Sequence, residues 1–509
     1  MTVGTHTGSI RRLLIANRGE IAVRIMRACR ELAIETVAVY SDADVDAPHV
    51  RAADRAVHLG AAPARDSYLD GAKVIAAAQA SGADAVHPGY GFLSERAHFA
   101  KACEDARLVF VGPPSASLER MGSKIGARRL MVEAGVPVVP GEAPADQADA
   151  SFTAAIERIG FPALIKPSAG GGGIGMKIVR TAAETVDALA AARREAKASF
   201  GDSTLYVERL IERPRHVEIQ VFADSHGNVV HLFERECSAQ RRHQKTVEES
   251  PCPALSATVR QAMGRAAIAA ARAVDYRNAG TCEFLLEGDG DSARFYFLEM
   301  NTRLQVEHPV TECVVGVDLV HAQLAVAAGA PLPFTQESLS QRGHAIECRI
   351  YAEDPAQGFI PQAGPILLYR EPQGPGIRVD SGVAAGSIVS VHYDPMLAKL
   401  IVWAGSREGA RQRALAALRE FIVLGIRTNI PFMIQLLQHE QFVAATIDTG
   451  FLDREGVAIA AATVQELPAA ALAAVAEHRR LGSRVSAGTP GTPGTPGSDP
   501  FLTLGGWRG

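Results

Sequence analysis

Residues 166–176 read KPSAGGGGIGM, and this stretch decides the fold. It follows the apolar segment FPALIK and precedes MKIVR, so we predict two strands joined by a glycine-rich loop. Without Cβ atoms, consecutive glycines let backbone N–H groups approach phosphate oxygens, and such a loop can close as a lid. The stretch lacks the GK[ST] of a P-loop and the dinucleotide fingerprint, which excludes both sites here. A flexible hairpin is the alternative for this loop taken alone.

Two apolar strands, residues 281–286 and 294–301, flank the turn GDGDSA. Paired residue numbers in a hairpin sum to a constant, and Glu283 with Glu299 has its midpoint at 291, inside that turn. The two carboxylates are therefore predicted to lie side by side, with Asn301 at the strand end. Oxygen ligands of this kind suit Mg²⁺. Two solvated carboxylates are the alternative.

Two further segments are rich in polar groups. Residues 299–309, EMNTRLQVEHP, place two Glu, an Arg, an Asn, a Gln and a His at a strand end and loop, which is typical of a site. Residues 234–249, ERECSAQRRHQKTVEE, crowd charges on what we predict to be a loop. A solvated face is the alternative for the second segment.

Composition excludes several classes of function. Fifty-two basic and 56 acidic residues among 509 give a formal charge of −4, which offers no general attraction to nucleic acid or anionic membranes. No apolar run approaches the roughly 20 residues of a membrane span, and the N-terminus does not resemble a secretory signal. Seven cysteines without a CxxC spacing suit reduced thiols. We expect a cytoplasmic protein that binds neither nucleic acid nor membrane.

The pattern of strands and helices predicts an α/β protein of several units. The first 115 residues have a βαβ rhythm, which predicts a parallel sheet. Helices are predicted over 115–134, 256–274, 406–423 and 430–437, and residues 343–451 read as a further strand-rich unit. After Gly456 the sequence becomes alanine-rich and then repeats GTP three times, which predicts a linker.

Together the glycine loop and the polar segments resemble the ATP-grasp fold, and over roughly residues 10–455 the chain resembles the biotin carboxylases. These are the ATP-dependent components of acyl-CoA and pyruvate carboxylases. The resemblance rests on IANRGEIAVRI (15–25), HPGYGFLSE (87–95), MGSK (121–124), KPSAGGGGIGM (166–176), ERPRHVEIQV (212–221), ERECSAQRRHQK (234–245), EMNTRLQVEHPVTE (299–312) and ECRIYAEDP (347–355).

The resemblance implies a four-part organisation. An N-terminal doubly wound domain occupies 10–122, and an ATP-grasp domain occupies 123–335 with a mobile lid lobe at about 138–210. A C-terminal α+β domain covers 343–455, and a linker and tail follow at 456–509.

The resemblance also implies which residues bind ATP, and Mg²⁺ or Mn²⁺. The metal ligands are Glu283, Glu299 and Asn301. The nucleotide contacts are Lys124, Lys166, the lid glycines Gly170, Gly171, Gly172 and Gly173, Met176, Glu208, Ile211, His216, Gln240, His243 and Leu285.

Further matches imply the bicarbonate and biotin sites. Lys245, Arg303, Gln305 and the backbone of Val306 match the bicarbonate contacts, and Arg303 suits bidentate binding of a planar anion. The remaining matches carry the chemistry. Glu307 is the implied general base, Arg349 stabilises the enolate of biotin, and Tyr90 approaches the biotin.

The resemblance implies partners as well as a site. Biotin would be presented on a separate carrier protein or domain, because the only Met-Lys pair, Met176-Lys177, adjoins the lid, and a carboxyltransferase subunit would complete the reaction. Matches to Arg24, Arg27, Glu31 and Arg378 imply a homodimer, although Pro375 replaces an aromatic residue.

Two other functions stay open at this stage. The chain could be another ATP-grasp ligase that joins a carboxylate to an amine or thiol. It could also be an inactive ATP-binding scaffold, a reading motivated by Ile174, which stands where the family's lid usually carries a basic residue.

Overall fold

The computed structural model describes residues 10–169, 173–242 and 244–463. Its N-terminal region is a five-stranded parallel sheet of order β3-β2-β1-β4-β5. The strands are β1 (Arg12–Ile15), β2 (Glu35–Ser41), β3 (Arg55–Gly60), β4 (Ala85–His87) and β5 (Val109–Phe110). The helices of this region are α1 (Gly19–Glu31), α2 (Pro48–Ala52), α3 (Gly71–Ser81), α4 (Ala97–Asp105), α5 (Ser115–Met121) and α6 (Lys124–Glu133).

Both faces of this sheet are covered, because successive side chains of β1 enter different cores. Leu13 packs in one core with Ile21 and Ile25 of α1, and Leu14 packs in another with Phe99 of α4. A strand buried on both faces reads as a continuous apolar run. This arrangement confirms the predicted doubly wound parallel sheet.

The glycine loop belongs to a small lobe with its own antiparallel sheet, of order β6-β9-β7-β8. The lobe consists of β6 (Gly141–Glu142), α7 (Asp149–Ile159), β7 (Ala163–Pro167), β8 (Lys177–Val179), α8 (Thr185–Phe200) and β9 (Leu205–Arg209). Strands β7 and β8, which flank the loop, pair as predicted. Its core of aliphatic residues and Phe152 lies between the sheet and the two helices.

The largest sheet has eight strands in the order β14-β13-β10-β11-β12-β15-β22-β20, of which the last three are β15 (His344–Tyr351), β22 (Met396–Ala404) and β20 (Ile377–Ser381). The central strands and helices are β10 (Arg215–Ala223), β11 (Val229–Arg241), β12 (Gln244–Ser250), α9 (Ala257–Ala273), β13 (Asn278–Glu287), β14 (Arg294–Asn301), α10 (His308–Val315) and α11 (Leu319–Ala327).

The C-terminal strands and helices are β15 (His344–Tyr351), β16 (Glu353–Asp354), β17 (Ile360–Pro361), β18 (Gly364–Pro365), β19 (Leu368–Arg370), β20 (Ile377–Ser381), β21 (Ile388–Val389), β22 (Met396–Ala404), α12 (Arg407–Glu420), β23 (Ile422–Leu424), α13 (Ile430–Gln438), α14 (Glu440–Val443) and α15 (Phe451–Ala461). Three of these strands extend the central sheet, because β12 pairs with β15. The sequence pattern predicts a further strand-rich unit from residue 343. In the structure, three strands of that region continue the central sheet.

Three local predictions are wrong. Residues 234–249 form strands β11 and β12 rather than a loop, because their charged side chains find partners across the sheet. The predicted helix over 115–134 is broken at Gly122 and Ser123, where Ser123 accepts from the Gly126 N–H and caps a new helix. The helix predicted to reach Val423 ends at Glu420, and β23 pairs with β19.

In the part of the chain that the structure describes, no single helix has the length and hydropathy to cross a membrane. One bent pair, α10 with α11, passes that test by length and composition only. The alanine-rich and GTP-repeat segment from residue 464 onward lies outside the described residues.

Candidate active site

Two cavities lie side by side over the central sheet. The larger, about 620 Å³, is lined by Tyr90, Lys245, Glu283, Arg303, Gln305, Val306 and Arg349, among others. The second, about 530 Å³, is lined by Lys124 and Glu208 with Tyr206 and Phe297. Glu299 and Asn301 line both cavities. The predicted metal ligands Glu299 and Asn301 therefore lie at the boundary between the two cavities.

Glu283 lies directly opposite Glu299 in the ladder between β13 and β14, as the hairpin arithmetic predicts. On the turn side of Glu283, Phe284 pairs with Phe297, and a one-residue register shift between Glu283 and Phe284 brings the two carboxylates opposite each other. Burial, and then the facing charge of Glu283, raises the pKa of Glu299. Among the described residues the Glu299 carboxylate has no hydrogen-bond or salt-bridge partner, so this pair has the charge to bind a cation.

Lys245 joins three buried carboxylates. Its Nζ lies 2.6 Å from Glu218 Oε2, 2.8 Å from Glu283 Oε1 and 2.6 Å from Glu307 Oε1. Burial alone would lower the pKa of Lys245, but these carboxylates hold it well above its usual range. The three donors of one ammonium are thus satisfied by three anions, and the side chain is fixed at the floor of the larger cavity.

Glu307 ends the loop between β14 and α10 and is completely buried. Its second oxygen, Oε2, accepts from Arg349 Nη2 at 2.9 Å. Burial would raise the pKa of Glu307, but Lys245 and Arg349 outweigh it and hold the pKa well below its usual range. Arg349 also donates its Nε to Glu248 Oε1 at 2.6 Å. Glu307 is therefore ionised and held by two cations.

Arg303 is fixed by its neighbours along the same loop. Its Nη1 donates to Gln305 Oε1 at 2.9 Å and its Nη2 to Asn301 Oδ1 at 3.0 Å, while its Nε lies 3.1 Å from Glu95. Gln305 in turn donates to Glu283 at 3.2 Å. The oxygen of Asn301, a predicted metal ligand, thus faces Arg303 in this structure.

The predicted nucleotide residues are more widely spread. Lys166 Nζ lies 2.7 Å from Glu208 Oε2, and Arg128 binds the other oxygen at 2.9 Å. Burial would lower the pKa of Lys166, but Glu208 outweighs it and raises the pKa. Burial lowers the pKa of the half-buried Lys124. His216 Nε2 lies 3.2 Å from Glu283 Oε2, which connects this set to the carboxylate pair.

Several predicted contacts are not brought to these cavities or are not described. The predicted contacts that line neither cavity are Lys166, Gly173, Met176, Ile211, His216, Gln240 and Leu285. Gly170, Gly171, Gly172 and His243 lie outside the described residues. Tyr90 lines the larger cavity, and its hydroxyl contacts Glu20.

Arg24 was expected at a dimer surface, but its side chain is only 1% exposed within the single chain. Its guanidinium binds Glu312 at 3.0 Å and Asp318 at 2.7 Å, on α10 and next to α11. These two carboxylates cover Arg24 and fix the middle of α1 against the helices behind the site. In the single chain, the Arg24 side chain therefore leaves almost no surface for a partner subunit to contact.

Sequence reasoning missed four charged residues around the site: Glu218, Arg235, Glu248 and Lys399. Glu218 pairs with Glu283 in one ladder and with Arg235 in the next, so Arg235, Glu218, Glu283 and Glu299 form a row across four strands. The signal that was available is a charged residue at an alternating position inside an apolar strand, as in HVEIQV.

Three family models match almost all of residues 9–454. Their descriptions are "Biotin carboxylase, N-terminal domain" for residues 9–118, "Carbamoyl-phosphate synthase L chain, ATP binding domain" for 123–335, and "Biotin carboxylase C-terminal domain" for 347–454.

Curated relatives agree with these models. The chain is 50% identical to biotin carboxylase 1 of Bacillus subtilis over 444 residues, which is 87% of this chain and 98% of that protein. It is 52% identical to the mitochondrial methylcrotonoyl-CoA carboxylase subunit alpha of Glycine max over 87% of this chain. The chain spans about 60% of the length of the latter protein.

Solved structures resemble the same region. A complex of biotin carboxylase from Campylobacter jejuni with β,γ-ATP superposes with a TM-score of 0.84 at 43% identity, covering 88% of this chain and 99% of that one. The biotin carboxylase domain dimer of Hydrogenobacter thermophilus 2-oxoglutarate carboxylase, in complex with MgADP, ADP and bicarbonate, has a TM-score of 0.84 at 42% identity, covering 89% and 99%.

Proposed function

Because the chain belongs to the biotin carboxylase family, we propose that it catalyses the ATP- and Mg²⁺-dependent carboxylation of biotin by bicarbonate, the first half-reaction of an acyl-CoA carboxylase. This membership confirms the resemblance, the ATP-grasp fold and the ligase class that the motifs predict. The single observation that carries the proposed activity is the contact of Glu307 with both Lys245 and Arg349, two cations that line the cavity beside the carboxylate pair.

The residues of the carboxylate pair fit a divalent cation. Glu283 and Glu299 face each other, and the second carboxylate has no partner among the described residues. We propose that these two carboxylates, with the Asn301 oxygen turned from Arg303, hold Mg²⁺ or Mn²⁺ with the nucleotide phosphates. When bound, the metal would supply positive charge that offsets the charge developing in phosphoryl transfer.

The smaller cavity is the proposed nucleotide site. Lys124 lines it, and Lys166 reaches its wall through Glu208, so both can offset phosphate charge. The glycine loop would close over the phosphates with Met176. Ile211, His216, Gln240, His243 and Leu285 are the remaining proposed contacts.

In the larger cavity, Arg303, Gln305, Lys245 and the backbone of Val306 would hold bicarbonate. Glu307 is ionised and within reach of Lys245 and Arg349, so it is in the state that accepts the bicarbonate proton. The deprotonated oxygen then attacks the γ-phosphorus, ADP leaves, and carboxyphosphate forms. Because Glu299 and Asn301 line both cavities, the attack crosses the boundary between them.

Carboxyphosphate breaks down to CO₂ and phosphate, and the phosphate removes the ureido proton of biotin. The enolate oxygen that results needs a fixed cation, and Arg349, held between Glu248 and Glu307, is in place to supply it. The enolate then attacks CO₂ and gives carboxybiotin. Tyr90, on the opposite wall, would border the biotin ring.

The organisation and partners are part of the same proposal. We propose the domain division 10–122, 123–335, 343–455 and 456–509, and the family matches support its first three parts. Helix α15 runs on to Ala461 and packs in the C-terminal core, so the start of the fourth part belongs to that core. A biotin carboxyl carrier protein or domain and a carboxyltransferase would be the partners, with a homodimer or larger complex. A cytoplasmic location is proposed by analogy with the bacterial relative, whereas other relatives are mitochondrial proteins.

The test is an assay of phosphate release from MgATP, run with and without bicarbonate and with and without free biotin. We expect release to require bicarbonate and to rise when biotin is added, with label from ¹⁴C-bicarbonate appearing in carboxybiotin. Phosphate release that does not depend on biotin but increases when an amine is added would favour another ATP-grasp ligase. Nucleotide binding without any turnover would favour an inactive scaffold.

A further inference from the structure

We propose that Lys399 is a positioning residue for the carboxylation. Its ammonium contacts both the Val306 carbonyl and Glu20. It thereby fixes the loop that carries Val306, a proposed bicarbonate contact, to the wall of the larger cavity formed by Glu20 and Tyr90. The inference rests on the proposed function. It adds a residue that contacts no substrate, and that the sequence motifs did not single out. The contacts that carry it come from four separate segments of the chain.

Lys399 is completely buried in the middle of β22. It lies directly opposite Arg349 in the ladder between β15 and β22, so both side chains rise from the same face of the sheet. Its Nζ donates to the Val306 carbonyl oxygen at 2.8 Å. The backbone of Val306, one residue before Glu307, is therefore fixed from below by a charged donor.

The same ammonium reaches the opposite wall of the larger cavity. Its Nζ lies 3.4 Å from Oε2 of Glu20, in the first turn of α1, and the other oxygen of Glu20 contacts the Tyr90 hydroxyl. Glu20 and Tyr90 both line the cavity. This close approach of α1 requires a glycine at position 382, since a Cβ there would lie 2.6 Å from the Glu20 amide nitrogen.

A second carboxylate completes the charge balance. Asp380 lies opposite Lys399 in the ladder between β20 and β22, with an oxygen 3.9 Å from Nζ. Asp380 is already bound by Arg378 and Arg27, so it does not depend on Lys399 for a partner. A buried ion pair rarely adds stability over an apolar residue of the same size. The stability of the fold therefore does not explain why a charged residue stands at position 399. Holding the Val306 carbonyl in place does explain it.

The test replaces Lys399 with methionine, which keeps the length of the chain and removes the donor. We expect the KM for bicarbonate to rise about 10–100-fold, the loss expected when a charged hydrogen bond is removed, because the loop that carries Val306 is no longer fixed. The KM for MgATP should stay within about twofold, because Lys399 contacts neither Lys124, Lys166 nor Glu299. Lys73→Met is the matched control: Lys73 also donates to a backbone carbonyl, Asp66, but on the surface.

A second variant guards against misfolding. In the double variant Lys399→Met with Glu20→Gln, position 20 no longer carries a charge that would be left without Lys399. The glutamine can still contact the Tyr90 hydroxyl. A selective rise of the bicarbonate KM in either folded variant supports the inference. A bicarbonate KM within twofold of wild type, or an MgATP KM that rises by the same factor, overturns it. If wild-type protein itself shows no bicarbonate-dependent turnover, the proposed function fails and with it the inference.

Discussion

Lys245 Nζ lies 2.6 Å from Glu307 Oε1, and Arg349 binds the other oxygen of the same carboxylate. With these two cations the carboxylate is ionised although it is completely buried. A buried carboxylate without such partners would hold its proton and could not act as a base. The same two cations are proposed to bind the substrates, so bicarbonate and biotin enter the environment that keeps Glu307 ionised.

The first prediction is that Glu307→Gln reduces biotin carboxylation by about 10²–10⁴-fold, the usual contribution of a positioned acid or base. Glutamine keeps the size and hydrogen bonding but cannot accept the bicarbonate proton. ADP binding, measured by calorimetry, should be unchanged because Glu307 does not line the smaller cavity. Glu337→Gln, at an exposed position, is the control. Near-normal carboxylation by Glu307→Gln would contradict the role of base.

The second prediction concerns the carboxylate pair. Glu299→Gln should weaken Mg²⁺ binding and raise the Mg²⁺ concentration that half-saturates turnover by about 10–100-fold. The physical reason is that Glu299 is the member of the pair without a partner among the described residues. Direct Mn²⁺ binding in the presence of ADP, followed by electron paramagnetic resonance, gives a readout besides activity. Unchanged Mn²⁺ affinity would remove Glu299 from the metal site.

The carboxylate pair was predictable to within one residue because a hairpin is local: Glu283 and Glu299 are joined by one short turn, and the one-residue register shift next to Glu283 completes their alignment. Glu218 was not predictable in the same way. It reaches Glu283 through the pairing of β10 with β13, two strands that are separated in sequence by β11, β12 and α9. Register between such strands is set by the packed sheet and leaves no local signal.

Lys399 and the segment 234–249 illustrate a second limit. Amphipathic alternation identifies strands with one polar face, but Arg235 and Glu236 are both buried, and each has a charged partner within the sheet. The run of charged residues at 234–249 therefore has the sequence pattern of a loop, although it forms parts of β11 and β12. Lys399 likewise interrupts an apolar strand, and only the structure shows that Val306 and Glu20 surround it.

The third prediction is a pH dependence of stability at Glu353. Burial raises the pKa of Glu353 to about 7, against the lowering effect of Arg241. Between the unfolded pKa near 4.5 and pH 7, the folded state holds a proton that the unfolded state has lost, so this group reduces stability as pH rises. Glu353→Gln should gain stability relative to wild type by up to about 3 kcal/mol between pH 4 and pH 8.

Urea unfolding midpoints at pH 4, 6 and 8 measure this difference. Loss of the Arg241 contact shifts the midpoint at every pH, so the pH dependence of the difference is the decisive quantity. Glu337→Gln again serves as the control, since its position is exposed. A difference between variant and wild type that is constant across the three pH values would contradict the prediction.

The fourth prediction concerns the lid. Ile174 is 52% exposed beside the glycine loop, so a longer basic side chain fits there without displacing a neighbour. Ile174→Lys adds at most one charge-assisted contact, and ATP should bind about tenfold more tightly if this position faces the phosphates. Ile178→Lys is the matched control, because Ile178 is 48% exposed on β8 of the same lobe. An equal effect of both variants would indicate general charge attraction and exclude a specific contact.

The last prediction is that biotin reaches the site on a carrier outside residues 1–509, either another polypeptide or a further part of the same protein. The only Met-Lys pair, Met176-Lys177, lies at the start of β8, and Lys177 Nζ is bound to Glu195 at 2.6 Å. A biotinylated carrier domain added in trans should therefore be carboxylated at least about tenfold faster than free biotin at equal concentration, because docking raises the local concentration of biotin at the cavity. An unbiotinylated carrier is the control and should act as a competitor. Mass spectrometry of the chain expressed with a biotin ligase should find no biotinyl-lysine within residues 1–509, and finding one would contradict the separate carrier.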